Sequence, residues 1–101
     1  MQFIITAYDG TDHDALSRRM RVRPRHLENM LQVMAHNKVL CAGGITNGEG
    51  TPIGSFLIME FPSRALLDQY LETEPYVTEK VWQNIKVEPC NAVIMNNKMD
   101  T

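Results

Sequence analysis

The chain lacks most of the features by which a sequence announces its role. Of its 101 residues only two are cysteine, Cys41 and Cys90. That is too few for an extracellular disulfide framework, and neither stands in a CxxC or Cys/His ligand spacing. Both read as small buried apolar side chains of a reducing compartment. No apolar run nears the ~18 residues of a membrane helix, because charged or polar residues interrupt each one. The opening Met1-Gln2-Phe3-Ile4-Ile5-Thr6 has no basic region, and Asp9, Asp12 and Asp14 follow, so it reads as a strand and not as a leader. A cytoplasmic location is the expectation. GxGxxG, P-loop and nucleophile-elbow patterns are all missing, so no nucleotide or flavin domain is indicated and no cofactor is expected. The three histidines, His13, His26 and His36, show neither HxxxH nor HExxH spacing, and no metal site is expected. Excess positive charge is lacking too: the formal net charge is −2, which argues against nucleic acid as the main partner.

What is present is an ordinary single-domain composition, 44% hydrophobic and 22% charged, with one local anomaly. Five of the ten Lys and Arg residues fall between Arg18 and Arg25, and His26 follows at once. Histidine is the side chain whose ordinary titration lies near neutrality. A cluster of cations beside one marks a place to look for chemistry, although a run of this kind is also what a solvated helix face looks like.

Residue order gives the architecture. Phe3 to Tyr8 is rich in β-formers and closes on the turn Asp9-Gly10-Thr11-Asp12. A helix is expected from about Thr11 or Asp12. Pro24 lacks a backbone donor and disfavours helix at Arg23, which predicts a break at Val22-Arg23. The second piece carries Leu27, Met30, Leu31 and Met34 at amphipathic spacing and would place His26 near a helix start, with Asn37 as a stop. Val39 to Ala42 reads as a strand ending in Gly43-Gly44, and Thr46 to Pro52 as a hairpin-type loop. Ser55 to Phe61 is the strongest strand. A helix from Pro62-Ser63 to about Leu71 follows, then an interruption at Glu74-Pro75-Tyr76 and a further turn to Val81 or Trp82. The last strand spans Ile85 to about Met95, where Pro89 requires a bulge or an edge position.

This β-α-β-β-α-β order predicts an α+β, ferredoxin-like domain over residues 1–96 with a four-stranded antiparallel sheet, followed by a polar tail over 97–101. In such a fold one sheet face meets helices and the other should be polar if it meets water. Here Phe3, Ile5 and Ala7 alternate with Ile4, Thr6 and Tyr8, and Leu57, Met59 and Phe61 with Phe56 and Ile58. Both faces are largely apolar. The expected partner of the open face is the same face of a second copy, giving a homodimer.

Several segments in this order, Arg23-Pro24-Arg25-His26-Leu27, Gly43-Gly44, Gly54-Ser55 and Glu74-Pro75-Tyr76-Val77, resemble the YciI-like (YCII-related) family of the dimeric α+β barrel superfamily. The resemblance spans nearly the whole chain. It implies an active site built on a histidine–aspartate pair, with His26 as the histidine. The family's aspartate falls on Glu74, a departure that keeps the charge and adds a methylene. Arg23, Ser55 and Tyr76 are the implied substrate-binding residues. The fold then implies a cofactor-independent enzyme of isomerase or lyase type, acting on a small cyclic or aromatic compound with His26 and Glu74 as a general acid–base pair. The alternative is a non-catalytic small-molecule-binding or accessory protein. A third role, haem handling, occurs in the wider barrel group and would rest on His26 alone.

Overall fold

The computed structural model describes residues 1–36 and 38–100. Strand β1 (Gln2–Asp9) leads into helix α1 (Ala15–Ala35), then strands β2 (Val39–Thr46) and β3 (Pro52–Glu60). Helix α2 (Arg64–Leu71), a short turn α3 (Pro75–Thr78) and strand β4 (Trp82–Cys90) complete the repeat. The four strands form one antiparallel sheet in the order β2-β3-β1-β4, the ferredoxin-like arrangement.

Strand alternation assigns the two faces. Residues paired across antiparallel strands share a face. The pairs Phe3/Met59, Ile5/Leu57 and Ala7/Ser55 lie beneath the helices and are buried, whereas Ile4/Ile58, Thr6/Phe56 and Tyr8/Gly54 lie on the open side. The core joins the first set to Val22 and Met30 of α1, Leu67 and Leu71 of α2, and Tyr76, Val81 and Trp82. Ser63 caps α2, its hydroxyl accepting the Leu66 amide at 3.2 Å, as expected of a serine directly before a helix.

Several sequence expectations are corrected. Helix α1 runs unbroken through Pro24. Pro24 and its neighbours Arg23 and Arg25 are exposed, as is Met20, whose carbonyl loses its partner. The missing bond therefore falls on the solvent side, while Arg19, Val22 and Met30 anchor the other side. The helix starts at Ala15, so His26 is central in it and far from the positive end of the dipole. Of the expected stripe only Met30 is buried; Leu27, Leu31 and Met34 are exposed, since the buried line runs along Arg19, Val22 and Met30. The expected stop at Asn37 lies outside the described residues.

The glycine pair does not end β2, which continues to Thr46. The Phe56 ring from the adjacent strand covers Gly43 so closely that a Cβ there would sit 2.7 Å from it; aromatic cover of this kind compensates a glycine in a strand. Cys41 is exposed and Cys90 half-buried, so neither is the core residue expected. α3 ends at Thr78, and Trp82 opens β4. β4 stops at Cys90, and Pro89 sits in this edge strand as expected. Ile94–Met95 and Lys98–Met99 pair as a small separate hairpin, β5 and β6. Asn96 and Asn97, both at positive φ (50° and 61°), form its turn, the conformation of a tight hairpin in which asparagine is favoured.

Candidate functional site

α1 packs chiefly against α3 and meets β2 only sparsely, which leaves space between α1 and the inner side of β2 and β3. A cleft of about 420 Å³ results, with walls from α1 (Arg19, Arg23, His26, Met30) and a floor from β2 and β3, including Gly44 and Ser55. Tyr76 also lines it.

His26 comes to the cleft from the middle of α1. Its Nδ1 lies 2.6 Å from Glu74 Oε1, and the Glu74 side chain is fully buried. The same oxygen accepts the Tyr76 amide at 3.1 Å, which makes Glu74 the cap of α3. The other oxygen accepts from the Tyr70 hydroxyl at 2.8 Å and from Asn29 Nδ2 at 2.9 Å. A buried carboxylate is tolerated only when its lone pairs are satisfied in this way. Burial alone would raise the Glu74 carboxyl; the hydrogen bond and charge of His26, the Tyr76 amide and the Tyr70 hydroxyl outweigh it and hold the group below its ordinary value. Burial and the adjacent Glu74 charge push the Tyr70 hydroxyl far upward, so it stays protonated as a donor.

For the neutral imidazole this network assigns the tautomer: Nδ1 carries the proton toward the carboxylate and Nε2 holds the lone pair. The ring is clamped by stacking on Tyr76 (centroids 3.9 Å apart, 7° between planes) and by a nearly perpendicular contact with Trp82, centroids 5.8 Å apart. Only 12% of the His26 side chain is exposed. Such a histidine is held in one orientation before any ligand arrives, which is what proton transfer requires.

A second buried network lies beside the first. Arg19 Nη1 donates to both Asp9 oxygens at 3.0 and 3.1 Å, and Arg19 Nη2 donates to Ser55 Oγ at 3.0 Å. Trp82 Nε1 donates to the same Ser55 oxygen at 3.1 Å. Arg19 also lies over the Tyr76 ring, 4.9 Å from its centroid, a cation–π contact. Burial raises the Asp9 carboxyl against the pull of Arg19.

The sequence-derived candidates are thus gathered in one place. His26 and Glu74 touch; Arg23, Ser55 and Tyr76 line the same cleft as His26, with Ser55 and Tyr76 buried and Arg23 on the exposed rim. Two further members escaped sequence reasoning. Arg19 is not a solvated cation but 7% exposed, and Asp9 is not a turn residue but its buried partner. A signal for both existed: Arg19 precedes His26 by two helical turns, and Asp9 continues the alternation Phe3, Ile5, Ala7. Of the other arginines in the cluster, Arg21 and Arg25 face outward, Arg25 pairing with Glu79, while Arg18 is half-buried and pairs with Asp12.

The family model of the YCII-related domain matches residues 1–91. The chain belongs to the YCII-related family. Protein YciI of Escherichia coli O6:H1 is 30% identical over 99 residues, covering 92% of this chain and 99% of that protein. Aspercryptin biosynthesis cluster protein B of Emericella nidulans is 28% identical over 85 residues, covering 75% of this chain and 54% of its own length. Among solved structures, the 5-chloro-2-hydroxyhydroquinone dehydrochlorinase of Burkholderia phenoliruptrix AC1100, in complex with 2,5-dihydroxybenzoquinone, superposes with a TM-score of 0.81 at 24% identity, over 90% of this chain and 94% of that one. An antibiotic biosynthesis monooxygenase shares the fold at a TM-score of 0.52 and 21% identity, over 92% and 98% of the two chains. Family membership and fold agree with the architecture derived above. Among the described residues no helix is long and apolar enough to cross a membrane.

Proposed function

We propose that this chain is a cofactor-independent enzyme of isomerase or lyase type, acting on a small cyclic or aromatic compound. His26 moves the proton through Nε2, and Glu74 holds the ring in the Nδ1–H tautomer and stabilises the imidazolium that forms. The observation that supports this reading most is the 2.6 Å His26–Glu74 contact between a fully buried carboxylate and a ring on the wall of the cleft. The dehydrochlorinase of the same fold lends support by analogy, since its named substrate is a small hydroxylated aromatic ring. Arg23, on the rim, would meet a negatively charged group on an incoming substrate.

The test is a screen of hydroxylated aromatics, quinones and lactones for turnover, followed by His26→Ala. A general base of this kind contributes at least ~100-fold, so turnover should fall by that factor or more. Unchanged turnover in His26→Ala would remove His26 from the reaction. The second reading, a binding or accessory protein, is favoured by one observation: Glu74 has a structural task as the cap of α3, independent of any chemistry. Ligand binding that survives His26→Ala, with no turnover in the wild type, would select it.

We propose also that two copies pair through their open sheet faces. Ile4, Tyr8, Ile45, Phe56 and Ile58 form an apolar centre on that face, with Lys86 and Glu88 at its margin. An apolar face of this composition is covered in a stable protein, and a two-fold axis lets one surface serve both partners.

A further inference from the structure

Ser55 has an unusual position within the second network. A serine oxygen can accept two hydrogen bonds and donate one. Both acceptor places are filled from inside the protein, by Arg19 Nη2 and Trp82 Nε1. No acceptor for the Ser55 proton occurs among the described residues, although the residue is only 4% exposed. Ser55 nevertheless lines the cleft with His26 and Gly44, and at Gly44 the floor carries no side chain to fill the space. The outward direction is therefore the one left for the hydroxyl proton.

The two donors do more than orient it. A guanidinium and an indole N–H donating to one oxygen withdraw electron density from it, and hydrogen bonds linked in a chain strengthen one another. Arg19 is itself fixed, bonded to both oxygens of buried Asp9. The same Trp82 whose nitrogen bonds Ser55 stands nearly perpendicular to the His26 ring, 5.8 Å between centroids, so one rigid side chain spaces the donor from the base.

We propose that Ser55 is a pre-oriented donor for an anionic oxygen, and that the cleft selects ligands with an ionisable phenol or enol. Arg19 and Trp82 are positioning residues that act through Ser55. The inference deepens the acid–base reading of the same cleft. When His26 Nε2 takes a proton from the ligand, the electron pair stays on the ligand and delocalises onto its oxygen. That oxygen then receives the Ser55 hydrogen bond, stronger for the anion than for the neutral ligand.

The probe is 4-nitrophenol, whose phenol and phenolate forms absorb at different wavelengths, with nitrobenzene as the neutral control of similar shape. The wild type should bind the phenolate in preference, seen as a shift of the bound absorbance toward the anion at constant pH. Ser55→Ala, and Ser55→Cys, which keeps the side-chain size but donates weakly, should each lose roughly 10- to 100-fold in phenolate binding. Nitrobenzene binding should stay within about twofold, which reports an intact cleft. Trp82→Phe and Arg19→Lys should lower the phenolate fraction while Ser55 is present and change nothing further in a Ser55→Cys background. A wild type that binds neither probe, or both equally, overturns the inference; so do Ser55 variants that keep phenolate affinity. The parent reading is separated by His26→Gln. Loss of turnover there with Ser55-independent binding sinks this inference alone, and Ser55-dependent binding without turnover in the wild type sinks the acid–base reading alone.

Discussion

The Tyr70 hydroxyl donates to Glu74 Oε2 at 2.8 Å from one helical turn earlier in the chain, and it accepts Asn29 Nδ2 at 3.1 Å from α1. The side chain thus ties α1 and α2 to the buried carboxylate. A hydrogen bond to a charged group contributes about 1.5–3 kcal/mol. Tyr70→Phe should cost that much in stability at neutral pH and let the Glu74 carboxyl drift upward. Urea denaturation reads the first effect directly; an unchanged midpoint would show that the bond carries no weight.

Glu74→Gln probes the carboxylate itself. The Glu74 carboxyl is held below its ordinary 4.5 in the folded chain, so its ionisation stabilises the fold fully above that value. The contribution is lost as pH falls through the lower folded value. Asp9 works in the opposite sense, because its folded carboxyl is raised above 3.8 and its protonation favours the fold. Comparison of the wild type with Glu74→Gln removes the Asp9 contribution. The variant should be less stable by about 1–3 kcal/mol at pH 7, and the gap should be flat down to about pH 4.5 and close below it. A gap that widens on acidification would contradict the assignment.

Pro24→Ala restores a backbone donor in the middle of α1 on its exposed side. Proline is about 3 kcal/mol less favourable than alanine inside a helix, offset by about 0.4–1 kcal/mol from the freer unfolded chain. The variant should therefore melt higher and need more urea. A lower melting temperature would mean that α1 requires the proline for its packing.

Ile58→Glu places a charge in the centre of the open sheet face, opposite Ile4 of the neighbouring strand. Light scattering at micromolar concentration should give twice the chain mass for the wild type and a single mass for the variant. A wild-type monomer would dispose of the face-to-face pairing.

The elements that could be read from residue order were those whose signal is local. Alternation in Phe3–Tyr8 and around Leu57–Phe61 fixes two strands and both of their faces, and Ser63 announces the helix that it caps. His26 was marked by the cation cluster beside it, whereas Glu74 and Tyr76 came from a family resemblance, and no spacing rule would have joined His26 to a residue 48 positions away. What stayed hidden depends on tertiary placement. Pro24 is compatible with a continuous helix only because its side faces water. Leu27, Leu31 and Met34 have core spacing, but α1 turns Arg19 and Val22 inward instead. Arg19 was indistinguishable from its four cationic neighbours until Asp9 and Ser55 could be placed beside it. The Ile94–Met99 hairpin was missed because its strands are two residues long and its turn is Asn-Asn without glycine.

One oxygen of Glu74 receives both the His26 ring and the amide that starts α3. On the proposed acid–base reading the residue is answerable to two demands at once, of which the cap of α3 is independent of any chemistry. A descendant that lost such a reaction would be free to change His26 but would still be selected to keep an acceptor at position 74. Under that reading, variation at the histidine would record lost activity, and persistence of the carboxylate would not.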